Sequence, residues 1–512
     1  MKPNRPTVLI ANRGEIAIRI ARTCKLLGFP TVAVYSEADQ SSEHVFMCDQ
    51  AYCLGGILPK DSYLNISSIL DIARKSKAKL IHPGYGFLSE RADFIEACQK
   101  ANLIFIGPSA KCVALMGNKV AARMAMDQLN IARVPGSHGA LSGVKEAKQL
   151  AKEIGYPVLL KAKAGGGGKG MRQVESEKFL ESSFEAASRE AEKSFGDSDL
   201  YLEKLILSPH HVEVQVFGDG KGGGIHLGER ECSIQRRHQK ILEETPSPVL
   251  ELFPKTREKL FEAALKIIKN IKYQSAGTLE FIVDEQGNFY FLEMNTRLQV
   301  EHPVTEWVTG VDLVEWQLLQ AIGELQLPEI PPRTGHSIEV RLYAEDPESF
   351  LPAPGSIGFI EFASGPFVRV DSAFKSPTEV SMYYDPMIAK ISVWGETREK
   401  ALARLRVSLD EIRVEPLKNA QGHKIGSLKT NLFLLQKLVR NKKVLKGDTP
   451  TDLIAKEPEL KQIFTKDVTL EAALAVSLYQ LIEENISLHD GTVNPTTEFY
   501  WTKQSKTEGL RS

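Results

Sequence analysis

The sequence lacks the features that mark a membrane protein, a secreted protein or a nucleic-acid-binding protein. None of its apolar runs approaches the roughly 20 residues that a membrane-spanning helix needs. Its 64 Lys and Arg residues nearly balance its 65 Asp and Glu residues, so there is no excess of positive charge for nucleic acid or a membrane surface. The apolar stretch near the N-terminus, TVLIA, is too short for the core of a secretory signal. We therefore expect a soluble, cytoplasmic protein with no membrane or nucleic-acid partner.

Cysteine is scarce as well, and its spacing excludes two kinds of site. The six cysteines form no CxxC pair and no spacing typical of a zinc site. Reduced thiols in a cytosolic compartment fit this pattern better than a disulfide framework does. The fingerprint GxGxxG is also missing from the first strand–helix turn, which is ANRGEIA. This absence disfavours the usual dinucleotide site.

A regular alternation of strand and helix patterns is present over residues 1–117. TVLIAN (7–12) is typical of a buried strand, a helical pattern follows over 15–27, and TVAVYS (31–36) is typical of a second strand. A similar alternation continues to LIFIGP (103–108). The pattern predicts a doubly wound α/β domain.

The rest of the chain changes pattern three times, which predicts a multidomain protein of the α/β and α+β classes. Residues 118–330 combine helical stretches with pairs of strands, and a mobile part is expected at about 133–205. The proline-rich boundary PEIPPR separates them from a β-rich region at 334–446. Residues 447–512 contain an amphipathic helical pattern at 470–484 and a polar tail.

Four consecutive glycines stand among lysines in KAKAGGGGKGMR, residues 161–172. The run is not a P-loop, because Met171 and Arg172 follow Gly170 where that motif needs Lys and then Ser or Thr. Successive glycine amides can nevertheless cradle an anion, and lysines add positive charge. Taken alone, the segment predicts either a flexible surface hairpin or a loop that closes over phosphate.

Two acidic residues and an amide are brought together by the strand patterns TLEFIV and NFYFLEMN. With a four-residue loop at 285–288, Glu280 pairs with Glu293. Asn295 then lies on the same face as Glu293. Facing carboxylates repel each other unless a cation lies between them, and carboxylate and amide oxygens suit Mg²⁺. A solvated surface hairpin is the alternative, but FYFLEM is too apolar for it. Together with the glycine loop, this hairpin predicts an ATP site.

An anion site is predicted in MNTRLQVEHPVTE, directly after the hairpin. Arg297 offers a planar fork for an oxyanion, and Gln299 and Glu301 follow at intervals of two. An acid so close to a bound anion is useful if it removes a proton from that anion, and bicarbonate carries one removable proton. The segment ERECSIQRRHQKILEE, otherwise typical of a charged surface, adds a dense polar set: Gln235, His238 and Lys240.

In order and spacing, a series of segments resembles biotin carboxylase, an ATP-grasp enzyme, over about residues 5–445. These segments are ANRGEIAIR, HPGYGFLSE, GNKVAAR, KAKAGGGGKGMR, ERECSIQRRHQK, GTLEF, LEMNTRLQVEHPVTE and EVRLYAEDP. The resemblance implies an N-terminal domain at 1–117, an ATP-grasp domain at 118–330 with its lid at about 133–205, a β-rich C-terminal domain at 334–446 and an extension at 447–512.

The resemblance implies that ATP phosphorylates bicarbonate to carboxyphosphate, whose breakdown leads to carboxylation of biotin on a separate carrier protein. It assigns the ATP phosphates to Lys119, Lys161 and His211, and the closing lid to the glycine run with Gly167 and Gly168. It assigns the other nucleotide contacts to Glu203, Lys204, Ile206, Gln235 and His238. It assigns Mg²⁺ or Mn²⁺ to Glu280, Glu293 and Asn295.

The same resemblance assigns the reaction centre. It implies a bicarbonate site formed by Lys240, Arg297, Gln299 and the Val300 amide. Glu301 would be the general base, and Arg341 would stabilise the enolate of biotin. Lys163 and Ala164 depart from the family, because many members have a small polar residue and a glycine there. Alanine restricts φ, which predicts a stiffer lid.

Two absences bear on the partners. Biotin is attached to a lysine in a Met-Lys hairpin, and the only Met-Lys pair here is Met1-Lys2. No segment is left for a carboxyltransferase. We therefore expect one subunit of a split acyl-CoA carboxylase of the acetyl- or propionyl-CoA type, with a biotin carboxyl carrier protein and a carboxyltransferase subunit as partners. The resemblance implies a homodimer.

Two other functions remain as alternatives. One is another ATP-grasp carboxylate ligase, and the other is a nucleotide-binding subunit without catalysis. The sequence does not name the final acyl-CoA acceptor, which belongs to the carboxyltransferase.

Overall fold

The computed structural model describes residues 5–137, 139–163, 171–237, 239–460 and 477–478. Contacts divide the chain into two units, Met1–Lys461 and Gln462–Ser512. In the second unit only Ser477 and Leu478 are described, both helical, so most of the helix predicted at 470–484 lies outside the described residues.

The N-terminal part is a five-stranded parallel sheet with the strand order β3-β2-β1-β4-β5. Its elements are β1 (Val8–Ile10), α1 (Gly14–Leu27), β2 (Thr31–Tyr35), α2 (Glu43–Met47), β3 (Gln50–Cys53), α3 (Ile66–Lys75), β4 (Leu80–His82), α4 (Ala92–Lys100), β5 (Ile104–Phe105) and α5 (Ala110–Gly117). The first strand is central and buried on both faces, as its continuous apolar run predicts. The doubly wound prediction is confirmed.

A small antiparallel sheet contains the strands that precede and follow the glycine run in the sequence. It has the order β7-β6-β8, and β6 and β7 pair directly on either side of the loop. Its elements, with the helix that precedes them, are α6 (Lys119–Gln128), α7 (Val144–Ile154), β6 (Val158–Ala162), β7 (Met171–Val174), α8 (Glu177–Phe195) and β8 (Leu200–Lys204). The hairpin predicted on either side of the glycines is therefore confirmed.

One eight-stranded sheet runs through the middle and C-terminal parts of the chain, in the order β13-β12-β9-β10-β11-β14-β18-β16. Its elements and the helices between them are β9 (His210–Asp219), β10 (Gly224–Arg236), β11 (Gln239–Thr245), α9 (Pro248–Leu252), α10 (Pro254–Asn270), β12 (Gln274–Val283), β13 (Phe289–Asn295), α11 (His302–Thr309), α12 (Leu313–Ala321) and β14 (His336–Tyr343). Because β11 pairs with β14, this sheet crosses the proline-rich segment that the sequence marks as a boundary.

The remaining C-terminal elements cover the end of this sheet. They are β15 (Gly355–Glu361), β16 (Val368–Ser372), β17 (Thr378–Val380), β18 (Met387–Gly395), α13 (Arg398–Glu411), β19 (Arg413–Pro416), α14 (Leu432–Leu438), α15 (Lys442–Lys446) and α16 (Leu453–Lys456). A second sheet has the order β17-β15-β19. The apolar cluster of this region begins at Ile234 and Leu242 and extends to Leu460. Among the described helices, none has the length and apolar character needed to cross a membrane.

Candidate active site

The two acidic residues that the sequence predicts to face each other do so. β12 and β13 are antiparallel, with Glu280 opposite Glu293 and Thr278 opposite Asn295. Glu280 also lies opposite Glu213 of β9. Three carboxylates from adjacent strands therefore lie side by side across the central sheet.

The turn of this hairpin is longer than predicted, and a β-bulge compensates for it. The loop covers 284–288 rather than 285–288, because β12 ends at Val283 and β13 begins at Phe289. Phe281 pairs with Phe291 while Glu280 pairs with Glu293, so Leu292 is the extra residue. The bulge changes the alternation of faces: Phe291 and Met294 lie in the apolar core, and Leu292 is 41% exposed. In a regular strand Glu293 would share the core face with Phe291, and the bulge prevents this.

Glu280 is the centre of a hydrogen-bond network. Its Oε1 accepts from Asn295 Nδ2 at 2.8 Å and from Gln299 Nε2 at 3.3 Å. Its Oε2 lies 2.8 Å from Nε2 of His211, whose Nδ1 is 2.6 Å from Gln235 Nε2. Burial alone would raise the pKa of Glu280, but the charges of Lys240 and His211 hold it far below its usual range. The carboxylate is therefore ionised in the neutral pH range.

The oxygen atoms of this hairpin fit a divalent cation. Desolvation and the Glu280 carboxylate raise the pKa of Glu293, which indicates negative charge that a cation would relieve. Asn295 adds an amide oxygen. Two carboxylates and an amide are hard donors, typical of Mg²⁺ or Mn²⁺ rather than of a soft metal. His211, Glu213 and Glu280 also place ligand atoms within 4.8 Å of one another. Arg230 and Lys240 each lie 2.5 Å from one oxygen of Glu213, closer than Lys240 and His211 lie to the oxygens of Glu280, which favours the hairpin set.

Lys240 lies between three buried carboxylates. Its Nζ is 2.5 Å from Glu213 Oε2, 3.0 Å from Glu280 Oε1 and 2.7 Å from Glu301 Oε1. These three contacts use all three donors of the ammonium group. Burial alone would lower the pKa of Lys240, but the three carboxylates raise it well above its usual value. The side chain therefore carries a fixed positive charge.

Glu301 is fully buried, and cations hold both of its oxygens. Oε1 contacts Lys240, and Oε2 lies 2.9 Å from Arg341 Nη2, which is also 2.5 Å from Glu243 Oε1. Burial alone would raise the pKa of Glu301, but Lys240, Arg341 and Arg230 hold it well below its usual range. Glu301 is thus a buried, ionised carboxylate held between two cations.

Arg297 connects the hairpin to the predicted anion segment. Its Nη2 donates to Asn295 Oδ1 at 2.9 Å, and its Nη1 donates to Gln299 Oε1 at 3.1 Å. Its Nε donates to Glu90 Oε2 at 2.9 Å, a contact from the N-terminal part that the sequence did not indicate. Val300, which directly precedes Glu301 in the chain, is half-buried. The structure therefore brings the predicted anion-binding residues and the hairpin acids into one site.

The residues predicted to contact nucleotide form a second group on the small sheet. Lys161 of β6 and Arg123 of α6 each contact one oxygen of the buried Glu203 carboxylate on β8. Burial, with the charges of Arg123 and Lys119, lowers the pKa of Lys161 to about 8. Lys204 Nζ donates to the carbonyl oxygens at 155 and 156, at 3.0 and 2.8 Å.

The remaining predicted nucleotide contacts are placed as follows. Lys119 is the first residue of α6, where the Asn118 side chain accepts two backbone amides. Ile206 is half-buried just after β8. Gly167, Gly168 and His238 lie outside the described residues.

A cavity of about 600 Å³ opens beside Arg297, Val300 and Arg341. The N-terminal part contributes residues 12–16 and 85–87 to its lining, and the C-terminal part contributes 383–385, 387 and 388. Tyr384 joins the two sides, because its hydroxyl donates to Ser36 Oγ at 2.6 Å and its ring lies under the Arg13 guanidinium. Contacts between the N-terminal part and the C-terminal part therefore border the cavity on one side.

Sequence reasoning missed three buried charged residues in this site. Arg230 is fully buried and binds Glu213 Oε1 at 2.5 Å and Thr305 Oγ1 at 2.9 Å. Glu213 has a signal in the sequence, since HVEVQVF alternates polar residues with valine in a strand that is buried throughout its length. Glu243 has no such signal, because it stands beside Glu244 at the polar end of QKILEET. Burial raises its pKa to about 7, although the charge of Arg341 opposes this shift.

Three family models match consecutive parts of the chain. They describe the N-terminal domain of biotin carboxylase over 5–113, the ATP-binding domain of the carbamoyl-phosphate synthase L chain over 118–330, and the C-terminal domain of biotin carboxylase over 339–456. Biotin carboxylase 2 of Bacillus subtilis (strain 168) is 48% identical over 450 residues, which are 87% of this chain and 98% of that protein. The chain belongs to the biotin carboxylase family.

Two further relatives show how far the biotin carboxylase match extends. The mitochondrial methylcrotonoyl-CoA carboxylase subunit alpha of Dictyostelium discoideum is 48% identical over 452 residues, but these cover only 63% of that longer protein. A solved structure is titled as the biotin carboxylase domain dimer of 2-oxoglutarate carboxylase from Hydrogenobacter thermophilus, in complex with MgADP, ADP and bicarbonate. It is 46% identical, covers 90% of this chain and 99% of its own, and has a TM-score of 0.82. The predicted biotin carboxylase fold is therefore confirmed.

Proposed function

We propose that this chain catalyses the ATP-dependent carboxylation of biotin by bicarbonate, through carboxyphosphate, with release of ADP and phosphate. The observation that supports this most directly is the position of Glu301, buried between Lys240 and Arg341 and beside the Glu280–Asn295 hairpin. Such a carboxylate can take the proton of bicarbonate, and the deprotonated anion forms carboxyphosphate if it lies next to a phosphoryl donor. The hairpin acids and the lysine-flanked glycine loop supply the place for that donor.

ATP binds between the small sheet and the central sheet in this proposal. Lys119, Lys161 and His211 bind the phosphates, and Glu203, Lys204 and Ile206 line the adenine pocket largely through backbone groups. Gln235 and His238 make the remaining contacts, and the lid with Gly167 and Gly168 closes over the phosphates. Closure keeps water away from carboxyphosphate.

Glu280, Glu293 and Asn295 would hold Mg²⁺ or Mn²⁺, and the ion would neutralise phosphate charge as the phosphoryl group is transferred. The protein orients these donors itself. Lys240 and His211 fix Glu280, and Arg297 fixes the amide oxygen of Asn295. These contacts support the proposal that the donors are oriented before nucleotide binds.

Bicarbonate is bound by Lys240, Arg297, Gln299 and the amide of Val300. Lys240 and Arg297 attract the anion, and Glu301 removes its proton so that an oxygen can attack the γ-phosphate. Biotin enters the cavity beside Arg341, whose guanidinium stabilises the enolate oxygen that forms when N1′ loses its proton. The residues that bind the first anion thus also face the second substrate.

The partners and the organisation of the chain belong to the same proposal. A separate biotin carboxyl carrier protein brings biotin, and a carboxyltransferase subunit transfers the carboxyl group to an acyl-CoA and so determines the acceptor. The chain acts as a homodimer in the cytoplasm. Its domains are the N-terminal domain (1–117), the ATP-grasp domain (118–330), the C-terminal domain (334–446) and the extension (447–512). Ala164, next to Lys163, makes the lid of the ATP-grasp domain stiffer.

The test is ATP hydrolysis that depends on bicarbonate and is stimulated by free biotin. Glu301→Gln keeps the shape of the side chain but cannot accept the proton, so we expect a loss of about 10²–10⁴-fold in kcat. MgADP affinity, measured by calorimetry, should stay within about twofold and is the control for folding. A folded wild-type protein whose ATP hydrolysis ignores biotin but responds to an amine would indicate another ATP-grasp ligase. One with no turnover would indicate a nucleotide-binding subunit.

A further inference from the structure

A lysine that this mechanism does not use lies directly behind the reaction centre. Lys390 of β18 is opposite Arg341 of β14, and its side chain is 1% exposed. Its Nζ donates a 2.7 Å hydrogen bond to the carbonyl oxygen of Val300. That oxygen belongs to the peptide bond between Val300 and Glu301, so the lysine holds the backbone that carries the proposed base.

Two carboxylates flank the ammonium group of Lys390 at longer distances. Glu15 Oε2 is 3.6 Å away and Asp371 Oδ2 is 3.9 Å away. Asp371 already has Arg369, whose Nε and Nη2 lie 2.9 and 2.7 Å from its Oδ2. Both oxygens of Glu15 are buried and have no hydrogen-bond partner among the described residues. Burial raises the pKa of Glu15 to about 7, and Lys390 is the nearby cation that opposes this shift.

Packing does not explain why a lysine occupies this position. A buried ammonium is costly unless it is paired and hydrogen-bonded, and an apolar side chain of similar volume often stabilises a protein as well. Lys390 has three donors, and among the described residues it makes one direct hydrogen bond, to Val300. An apolar residue at this position could supply neither a positive charge nor a hydrogen-bond donor for the carbonyl oxygen of Val300.

The three groups come from three parts of the chain. Glu15 lies in the first turn of α1, Val300 in the segment after β13, and Lys390 in the C-terminal part. We propose that Lys390 is a positioning residue that, with Glu15 behind it, fixes the Val300–Glu301 peptide so that the Val300 amide and the Glu301 carboxylate face the same anion. This inference rests on the proposed function of the Arg297–Glu301 segment.

The test is Lys390→Met, which keeps the length of the side chain and removes its charge and donors. Steady-state turnover with free biotin should show a rise of about tenfold or more in KM for bicarbonate and a lower kcat, because a displaced anion site costs up to about 10²-fold. KM for MgATP should stay within about twofold, since the nucleotide residues lie on other strands. A general loss of folding would not raise KM for bicarbonate while leaving KM for MgATP unchanged.

Arg369→Met is the matched control. Arg369 belongs to the same buried charge cluster and contacts α11 through Glu306 at 2.7 Å, but it does not touch Val300. We expect its KM for bicarbonate to remain within about twofold of the wild type, even if its melting temperature falls. Equal bicarbonate defects in the two variants would overturn the inference and leave a purely structural charge cluster.

Glu15→Gln is the second variant, and it decides the question if Lys390→Met does not fold. It preserves shape and leaves the Lys390–Val300 bond possible, so we expect a smaller loss of about threefold in kcat/KM for bicarbonate. The inference is overturned if folded Glu15→Gln has an unchanged kcat/KM for bicarbonate and Lys390→Met, where it folds, shows no bicarbonate defect. The proposed function fails separately, if the wild type shows no bicarbonate-dependent turnover at all.

Discussion

At the residue scale, Glu301 shows how substrate binding can strengthen a base. In this structure Lys240 and Arg341 occupy both of its oxygens, and their charges keep its pKa low. A base of low pKa accepts a proton poorly. In the proposed mechanism bicarbonate takes up a donor of Lys240 and adds a negative charge beside Glu301, and both effects would raise the pKa of Glu301. The proposed base therefore gains proton affinity when its substrate is bound.

Lys161 gives a prediction about pH at the same scale. Its pKa is lowered to about 8, so in the free protein it is charged below that pH and loses its charge above it. Phosphate binding needs the charge, so MgADP affinity should fall as the pH rises through about 8, by up to tenfold for each further unit. Calorimetric titrations between pH 6.5 and 9.5 measure this.

Lys161→Arg is the control for that experiment. A guanidinium stays charged across the whole range, so its affinity for MgADP should be nearly independent of pH. If the wild type is equally flat, Lys161 does not bind phosphate through its charge.

At the element scale, the β12–β13 hairpin combines two deviations that cancel. The longer loop shifts the pairing by one residue, and the bulge at Leu292 restores it before Glu293 is reached. The Asp284 side chain stabilises the loop by accepting the amides of Gln286 and Asn288 at 3.0 and 2.8 Å. The pairing predicted from sequence was therefore correct, although the loop predicted from sequence was wrong by one residue.

Glu293→Gln tests whether this hairpin binds the metal. The amide keeps one oxygen and removes a charge, so the Mg²⁺ concentration that gives half-maximal turnover should rise by about tenfold or more. Leu292→Ala, on the exposed bulge next to it, should leave that concentration unchanged. Identical Mg²⁺ dependence in Glu293→Gln and the wild type would remove Glu293 from the metal site.

How much of this site was readable from the sequence depends on how far apart its parts lie in the chain. Glu280 and Glu293 were found from residue patterns because one short hairpin pairs them. Arg341 was assigned only by family resemblance, since β14 reaches Glu301 through tertiary pairing with β11. Glu243 was missed because nothing local marks a carboxylate whose partner is on another strand. The alternation around Glu213 marks a buried strand, but it does not show which cation its carboxylate binds. Pairings between distant strands depend on the whole packing, which local periodicity does not contain.

At the scale of the whole molecule, the central sheet does not respect the boundary that PEIPPR suggests. β11 and β14 pair from Leu242–Val340 to Thr245–Ser337, and one apolar cluster contains Ile241, Leu242, Ile338 and Val340. The C-terminal part therefore completes a sheet and a core that begin before the boundary. Neither side is expected to fold well by itself, since each would expose a sheet edge and half of a core.

A chain cut within 328–333 tests this dependence. We expect the two fragments, produced separately, to aggregate or to unfold without a cooperative transition. Produced together, they should form a complex on gel filtration and recover bicarbonate-dependent turnover. A C-terminal fragment that melts cooperatively by itself would show that the shared sheet is not needed for folding.

The pairing of β11 with β14 also limits where the chain can tolerate insertions and deletions. Lys240 stands on β11 and Arg341 on β14, and both must point to the side of the sheet where Glu301 lies. Deleting one residue from either strand turns every following side chain to the opposite face, so such a deletion removes a reaction-centre cation while leaving the composition almost unchanged. The exposed turn at 419–426 carries no such constraint. Insertions and deletions among descendants of this gene should therefore accumulate at that turn and spare the two strands.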